Sequence, residues 1–240
     1  MKQPRIWPVL VWACIGIAIL CGLGVWQIFR LGEKEALLAS IAARTTAAPI
    51  TLAEALQRRE QGDDIEFVTV KTKGVFDRAH ERQKLSVFDG APGWEIITPL
   101  TSEEGIVALV DRGIVPDNLR DTTKRPETTD PIEVLAIVRA HSSAQGYFDP
   151  ENDVEKNTWY WWDVPAMLAS VAIPADVKVA PFILQVLPTA DLSKFPRAAA
   201  PQVALSNNHL QYAFTWFSLA FALAIIAGLF IRKLVRRSDA

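Results

Sequence analysis

Two uninterrupted apolar runs stand near opposite ends of the chain, and they constrain what it can fold into more than any other feature. From Trp7 to Phe29 there are 23 residues without a charge, and from Tyr212 to Ile231 there are 20 more. A helix rises about 1.5 Å per residue, so each run is long enough to cross a hydrocarbon core of about 30 Å. Core helices of water-soluble proteins keep a polar face, and neither run has one. The first run is also too long for the central region of a signal peptide and lacks an A-x-A exit. Transmembrane helices are therefore expected over 7–29 and 212–231.

Orientation follows from the basic residues that flank the runs. Lys2 and Arg5 precede the first, and Arg232, Lys233, Arg236 and Arg237 follow the second. Residues 1–6 and the basic tail 232–240 are expected on the cytoplasmic side, which puts residues 30–211 outside. Arg30 and Lys34 oppose that bias, but long loops translocate with little regard to charge. No Arg- and Ser-rich leader precedes the first run, so the expected location is a bacterial inner (plasma) membrane with a periplasmic central domain. Between residues 31 and 208 there are 18 Lys plus Arg against 26 Asp plus Glu, a formal charge of −8. Such a domain repels nucleic acid, which is excluded as a partner. Both cysteines, Cys14 and Cys21, lie in the first run, so the outer domain has neither a disulfide nor the thiols of a copper carrier.

After the first run, Arg30 to Arg44 reads as a helix continuing out of the membrane. Thr51 and Glu54 have capping-box spacing ahead of a short helix that Gly62 ends. From Ile65 the texture changes to the β-branched and aromatic runs IEFVTVKTKGVF, KLSVF, GWEIITPL, GIVALVDRGIVP, IEVLAIVR and FILQVL, bounded by DG, PG, EEG and Pro. No long helices separate them, so a mostly antiparallel sheet or open barrel is expected, with one short helix near Asp163 to Val171. Residues 115–131 read as a loop, and 188–207 as a linker returning the chain to the bilayer. The expected fold class is a two-helix transmembrane hairpin carrying an external α+β, mainly antiparallel β domain.

Only His80, His141 and His209 are available for metal or acid–base chemistry. His80 and His141 sit among charged or small polar residues, and neither is given a role. His209 lies in SNNHLQYAFTWF at the outer mouth of the second span, with Tyr212, Ala213 and Trp216 on its helical face. Two readings fit it: a ligand for the iron of an amphipathic cofactor such as haem, or an interfacial anchor among aromatic side chains. Trp26, Gln27 and Arg30 stand at the same depth on the first span. Gln27 and Arg30 have the spacing to hold a carboxylate or a propionate, or else belong to the interfacial belt. Small residues at Ala18 and Gly22, and at Ala220, Ala224 and Gly228, suit close packing of the spans or docking of a partner helix. In TWYWWDVP, strand alternation would put Trp159 and Trp161 on one face and Tyr160 and Trp162 on the other, for core packing or a partner. There is no G-x-S-x-G, H-E-x-x-H or phosphate loop. Ser206 and His209, three apart, lack a positioned carboxylate, so no enzyme is expected.

The segments LGVWQIFRLGEKEALL, PGWEIITPL, ALVDRGIVP, TWYWWDVP and NNHLQYAFTWFSLA carry a resemblance that covers nearly the whole chain. On them the sequence resembles the Surfeit locus protein 1 family of cytochrome c oxidase assembly factors. It departs at Asp111, where Asn is frequent, and at Ile114, where Trp often follows the R-G pair, while Arg112, Gly113 and Pro116 keep the pattern. The resemblance implies a non-enzymatic chaperone that receives or presents haem a for insertion into the large catalytic subunit of the oxidase. It makes His209 of N-H-L-x-Y the suspected ligand of the haem iron. Expected partners are that subunit, the haem a synthase and the lipid bilayer. The rival readings are a haem-independent scaffold for an oxidase assembly intermediate, and a two-span receptor, for which the nine residues after Ile231 provide no output module.

Overall fold

The computed structural model describes residues 6–125, 130–140, 145–171, 173–188, 195–198 and 208–238. Most of the expected linker, His141, Ser206 and the first five residues lie outside these. The chain divides into two compact units, 1–40 together with 203–240, and 41–202.

In the first unit, helix α1 (Ile6–Thr46) is a single helix of 41 residues, so the apolar run and its polar extension are one element. Helix α4 (His209–Ser238) carries the second run. Both are long and apolar enough to cross a membrane, and only 6% of each apolar stretch is buried within the protein. A core helix of a soluble protein would be largely covered, so lipid is the medium that satisfies these surfaces. The molecule is a two-span membrane protein with a β-rich domain between its spans.

The second unit opens with helix α2 (Leu52–Glu60). Thr51 caps it by accepting from the Glu54 amide at 3.1 Å, but the Glu54 carboxylate turns to Arg58 at 2.5 Å instead of closing the box. Six strands follow: β1 (Thr69–Phe76), β2 (Arg82–Phe88), β3 (Ala91–Ser102), β4 (Ile106–Pro116), β5 (Ile132–Arg139) and β6 (Lys178–Val186), with helix α3 (Val164–Ala169) before the last. Their order is β1-β5-β6-β4-β3-β2, and β1 also pairs with β3. That extra pairing, Phe76 opposite Leu100, closes five strands into a barrel and leaves β2 as a flap on β3. The circuit β1-β3-β4-β6-β5-β1 is that of a Greek-key OB-type barrel. Closure removes most of the free edge an open sheet would present.

One pair, β4 with β6, is parallel. The other pairings are antiparallel, as expected, and β5 and α3 lie in the connection between the two parallel strands. The barrel interior is apolar, with Val70, Leu100, Ala108, Val110, Ala136, Phe182 and Leu184 buried, and Leu52, Ala55 and Leu56 of α2 packed against it. The Trp-rich run is not a strand: Trp159 and Trp162, three apart, pack together with Ile97, Leu109, Met167 and Ile183 on the outer face of β3, β4 and β6. A turn-like path, and not strand alternation, selects which aromatics are buried.

Gly113 explains why the R-G pair needs its glycine. Its φ is +109°, and a Cβ there would stand 2.2 Å from the Arg197 carbonyl oxygen. The segment 195–198 bonds to β4 beside it, with reciprocal amide–carbonyl bonds of 2.9 Å between Ile114 and Arg197. The preceding Arg112 stacks on Phe76, 4.5 Å from the ring centre.

Asp111, on β4, is almost wholly buried and lies against Glu95 on β3, which pairs with Lys84 on β2. Burial comes first among the causes that push the Asp111 carboxyl well above the ordinary range; the negative charge of Glu95 and a hydrogen bond with it add to the effect. The Gly113 amide, donating at 2.9 Å, and Lys84 pull the other way without winning. Asp111 therefore holds a proton that the unfolded chain releases near pH 4. The stabilisation is complete below about pH 4 and is lost as pH climbs toward the raised value. Asp111→Asn keeps an acceptor for Gly113 and needs no proton, so it is expected to be more stable than wild type at pH 8 and to lose that advantage at pH 4. Thermal unfolding of the full chain in detergent, followed by circular dichroism at both pH values, checks this.

Candidate functional site

The two long helices meet along a seam. On α1 the covered or half-covered positions include Ala13, Gly16, Ile17, Leu20, Gly24 and Gln27, and on α4 they include His209, Ala213, Trp216, Ala220, Leu223 and Ala227. Steps of three and four residues keep each series on one face, the spacing of packed helices. Gln27 lies opposite His209, Gly24 opposite Phe217 and Gly16 opposite Leu223, so the helices are antiparallel. A Cβ on Gly24 would be 2.7 Å from the Phe217 ring, and one on Gly16 would be 2.9 Å from a Leu223 methyl. These two glycines, and not Ala18 and Gly22, admit the opposing side chains. Ala18, Gly22, Ala224 and Gly228 face outward, and of the small residues expected to pack, Ala220 is the one buried.

His209 is the first residue of α4 and is half-buried. Its Nδ1 lies 2.6 Å from Oε1 of Gln27, which is 9% exposed. Two polar side chains 182 residues apart thus satisfy each other inside an otherwise apolar seam. Two turns further, Trp216 lies on the same seam, and its indole Nε1 is buried with no hydrogen-bond partner. A buried donor left in that state costs about 1–3 kcal/mol, so Trp216 can donate to any acceptor that enters.

The remaining expected residues stand on outward faces. Tyr212 and Trp26 are 53% and 52% exposed. Arg30 is bound to Glu33 at 2.7 Å, both exposed, and does not join Gln27. Hence Gln27 and Arg30 do not form a single clamp: the amide oxygen goes to His209 and the guanidinium to its own helix. His80 bonds Asp77 at 2.6 Å in the other unit. Among the described residues no three His, Cys, Asp or Glu side chains gather as a metal set, and His209 stands in the seam as a lone imidazole. Sequence spacing placed Ala213 and Trp216 beside His209, but nothing local could have paired it with Gln27.

The family profile that matches is that of the SURF1 family, over residues 14–221, from within α1 to within α4. The chain belongs to the SURF1 family. It is 30% identical to a SURF1-like protein of Monosiga brevicollis, across 93% of this chain and 88% of that one. A SURF1-like protein of Rickettsia felis is 28% identical, across 92% and 96% of the two chains. Surfeit locus protein 1 of Mus musculus is 29% identical, across 90% of this chain and 72% of the mouse protein. The matched region of this SURF1-family chain holds most of α1, the first part of α4 with His209 and Trp216, and the whole barrel.

Gly24→Val is expected to force the Phe217 ring off the seam and weaken the helix pair by about 1–3 kcal/mol. Phe217→Ala in the same chain should restore much of the loss. Disulfide cross-linking between cysteines introduced at Leu20 and Ala220 reports whether the seam remains closed.

Proposed function

We propose that this protein receives haem a through His209 at the outer mouth of its helix pair and assists its insertion into the large catalytic subunit of cytochrome c oxidase. Membership of the SURF1 family implies a role in cytochrome c oxidase assembly. The haem reading goes further, and one observation carries it: a half-buried imidazole at the head of an apolar helix, engaged through Nδ1 alone among the described residues. The residues present fit the group. His209 would hold the iron, and Trp216 has a buried donor without an acceptor. Tyr212 and Trp26 offer exposed aromatic faces for a macrocycle, and Arg30, although paired with Glu33, is accessible to a propionate. Bound there, haem supplies an iron centre that accepts the imidazole lone pair and a largely apolar ring that prefers lipid to water.

In this reading the protein is a chaperone, not a catalyst. The β domain, periplasmic with both termini cytoplasmic, docks the oxidase subunit or the haem a synthase. The orientation rests on the basic residues Arg232, Lys233, Arg236 and Arg237 after the second span.

The test is absorption spectroscopy of the purified full chain supplied with haem a. His209→Ala is expected to lose the axial-ligand bands and at least ten-fold in affinity. An unchanged spectrum removes His209 as ligand, and co-purification of the oxidase subunit from cells lacking haem a then favours the haem-independent scaffold. Topology is checked by labelling a cysteine introduced at Asn118, which is expected to react with an impermeant reagent from the periplasm and not from the cytoplasm.

A further inference from the structure

We infer that Gln27 is a positioning residue that holds the His209 imidazole in its Nδ1–H tautomer, so that Nε2 is left unprotonated and free to bind a metal. The inference rests on the haem reading only for the identity of that metal centre; the tautomer is a property of the protein alone.

A neutral imidazole has one donor and one acceptor nitrogen, and the partner of one decides the state of the other. The atom facing Nδ1 is the amide oxygen of Gln27, 2.6 Å away. An amide oxygen can only accept, so Nδ1 must carry the hydrogen and Nε2 the lone pair. Gln27 is 9% exposed, which leaves little room for water to replace it. One turn earlier, Gly24 meets Phe217 of α4, which holds α1 in register with α4 beside the polar pair. Arg30, the nearest cation on α1, is turned to Glu33 and does not compete for the amide oxygen. Imidazole ligands of metals nearly always donate their second N–H to an oxygen acceptor, and losing it lowers metal affinity or activity by about 10–100-fold. Gln27 fills that place from the opposite helix, so the site requires both helices even though one residue ligates.

The chain has three histidines, which permits a direct test without haem. Nitrogen-15 NMR of histidine-labelled full-length protein in detergent, with His209→Ala used for assignment, should show Nδ1 protonated and Nε2 bare in the wild type. Gln27→Glu, which keeps an acceptor oxygen, should retain that pattern, whereas Gln27→Leu should move the hydrogen wholly or partly to Nε2. With haem a added, Gln27→Leu is expected to bind about 10–100-fold more weakly. Gln27→Glu should bind near the wild-type level while shifting the reduction potential negative, a change that mere structural damage does not produce. A wild-type ring protonated on Nε2, or a Gln27→Leu ring with unchanged shifts, overturns the inference. Wild-type haem binding by His209→Ala would sink the haem reading instead, with the nitrogen shifts still deciding the role of Gln27.

Discussion

A hydrogen bond between an imidazole and an amide, set in a seam of small and apolar side chains, is the interaction on which the membrane part of this protein turns. Neither partner would be stable there alone, because water is scarce at that depth and an unpaired polar group is costly. Pairing engages the amide oxygen of Gln27 and one of the two ring nitrogens of His209. A residue satisfied on one side and open on the other is what a ligand site requires. The buried indole nitrogen of Trp216 repeats the theme two turns along α4.

The seam also shows why glycine and bulk matter in pairs. Lipid is as apolar as the helices, so packing and polar contacts, not water exclusion, hold them together. Gly16 and Gly24 are the positions where a side chain from α4 comes close to the α1 backbone. Small residues elsewhere on both helices face lipid, which shows that composition at helical spacing does not by itself identify the contacting face.

The barrel domain follows a different logic. Its five-strand closure buries an apolar interior, and a second cluster around Trp159 covers one outer face. Beside the outer cluster sits a polar exception, the buried carboxyls of Asp111 and Glu95 with Lys84, whose ammonium lies over the Trp162 ring. A protonated carboxyl can donate one hydrogen bond while accepting another, as an amide does. Asp111 can thereby stand beside Glu95 without leaving two bare negative charges side by side.

Much of this was legible in the residues themselves. Uncharged runs of 23 and 20 residues are long enough to span a bilayer whatever else the chain does, because length and polarity are one-dimensional quantities. The cap at Thr51, the hairpin turn at Asp89 and Gly90, and the strand runs could be read for the same reason: each is a contest between neighbours in the chain. The motif around His209 singled out the imidazole. What only the tertiary structure decided were the pairings across long stretches of chain: the parallel β4–β6 contact, closure of β1 on β3, burial of Trp159 together with Trp162, and the meeting of Gln27 with His209. Each depends on which surfaces face one another once the helices and barrel are assembled, and no local preference along the chain contains that information.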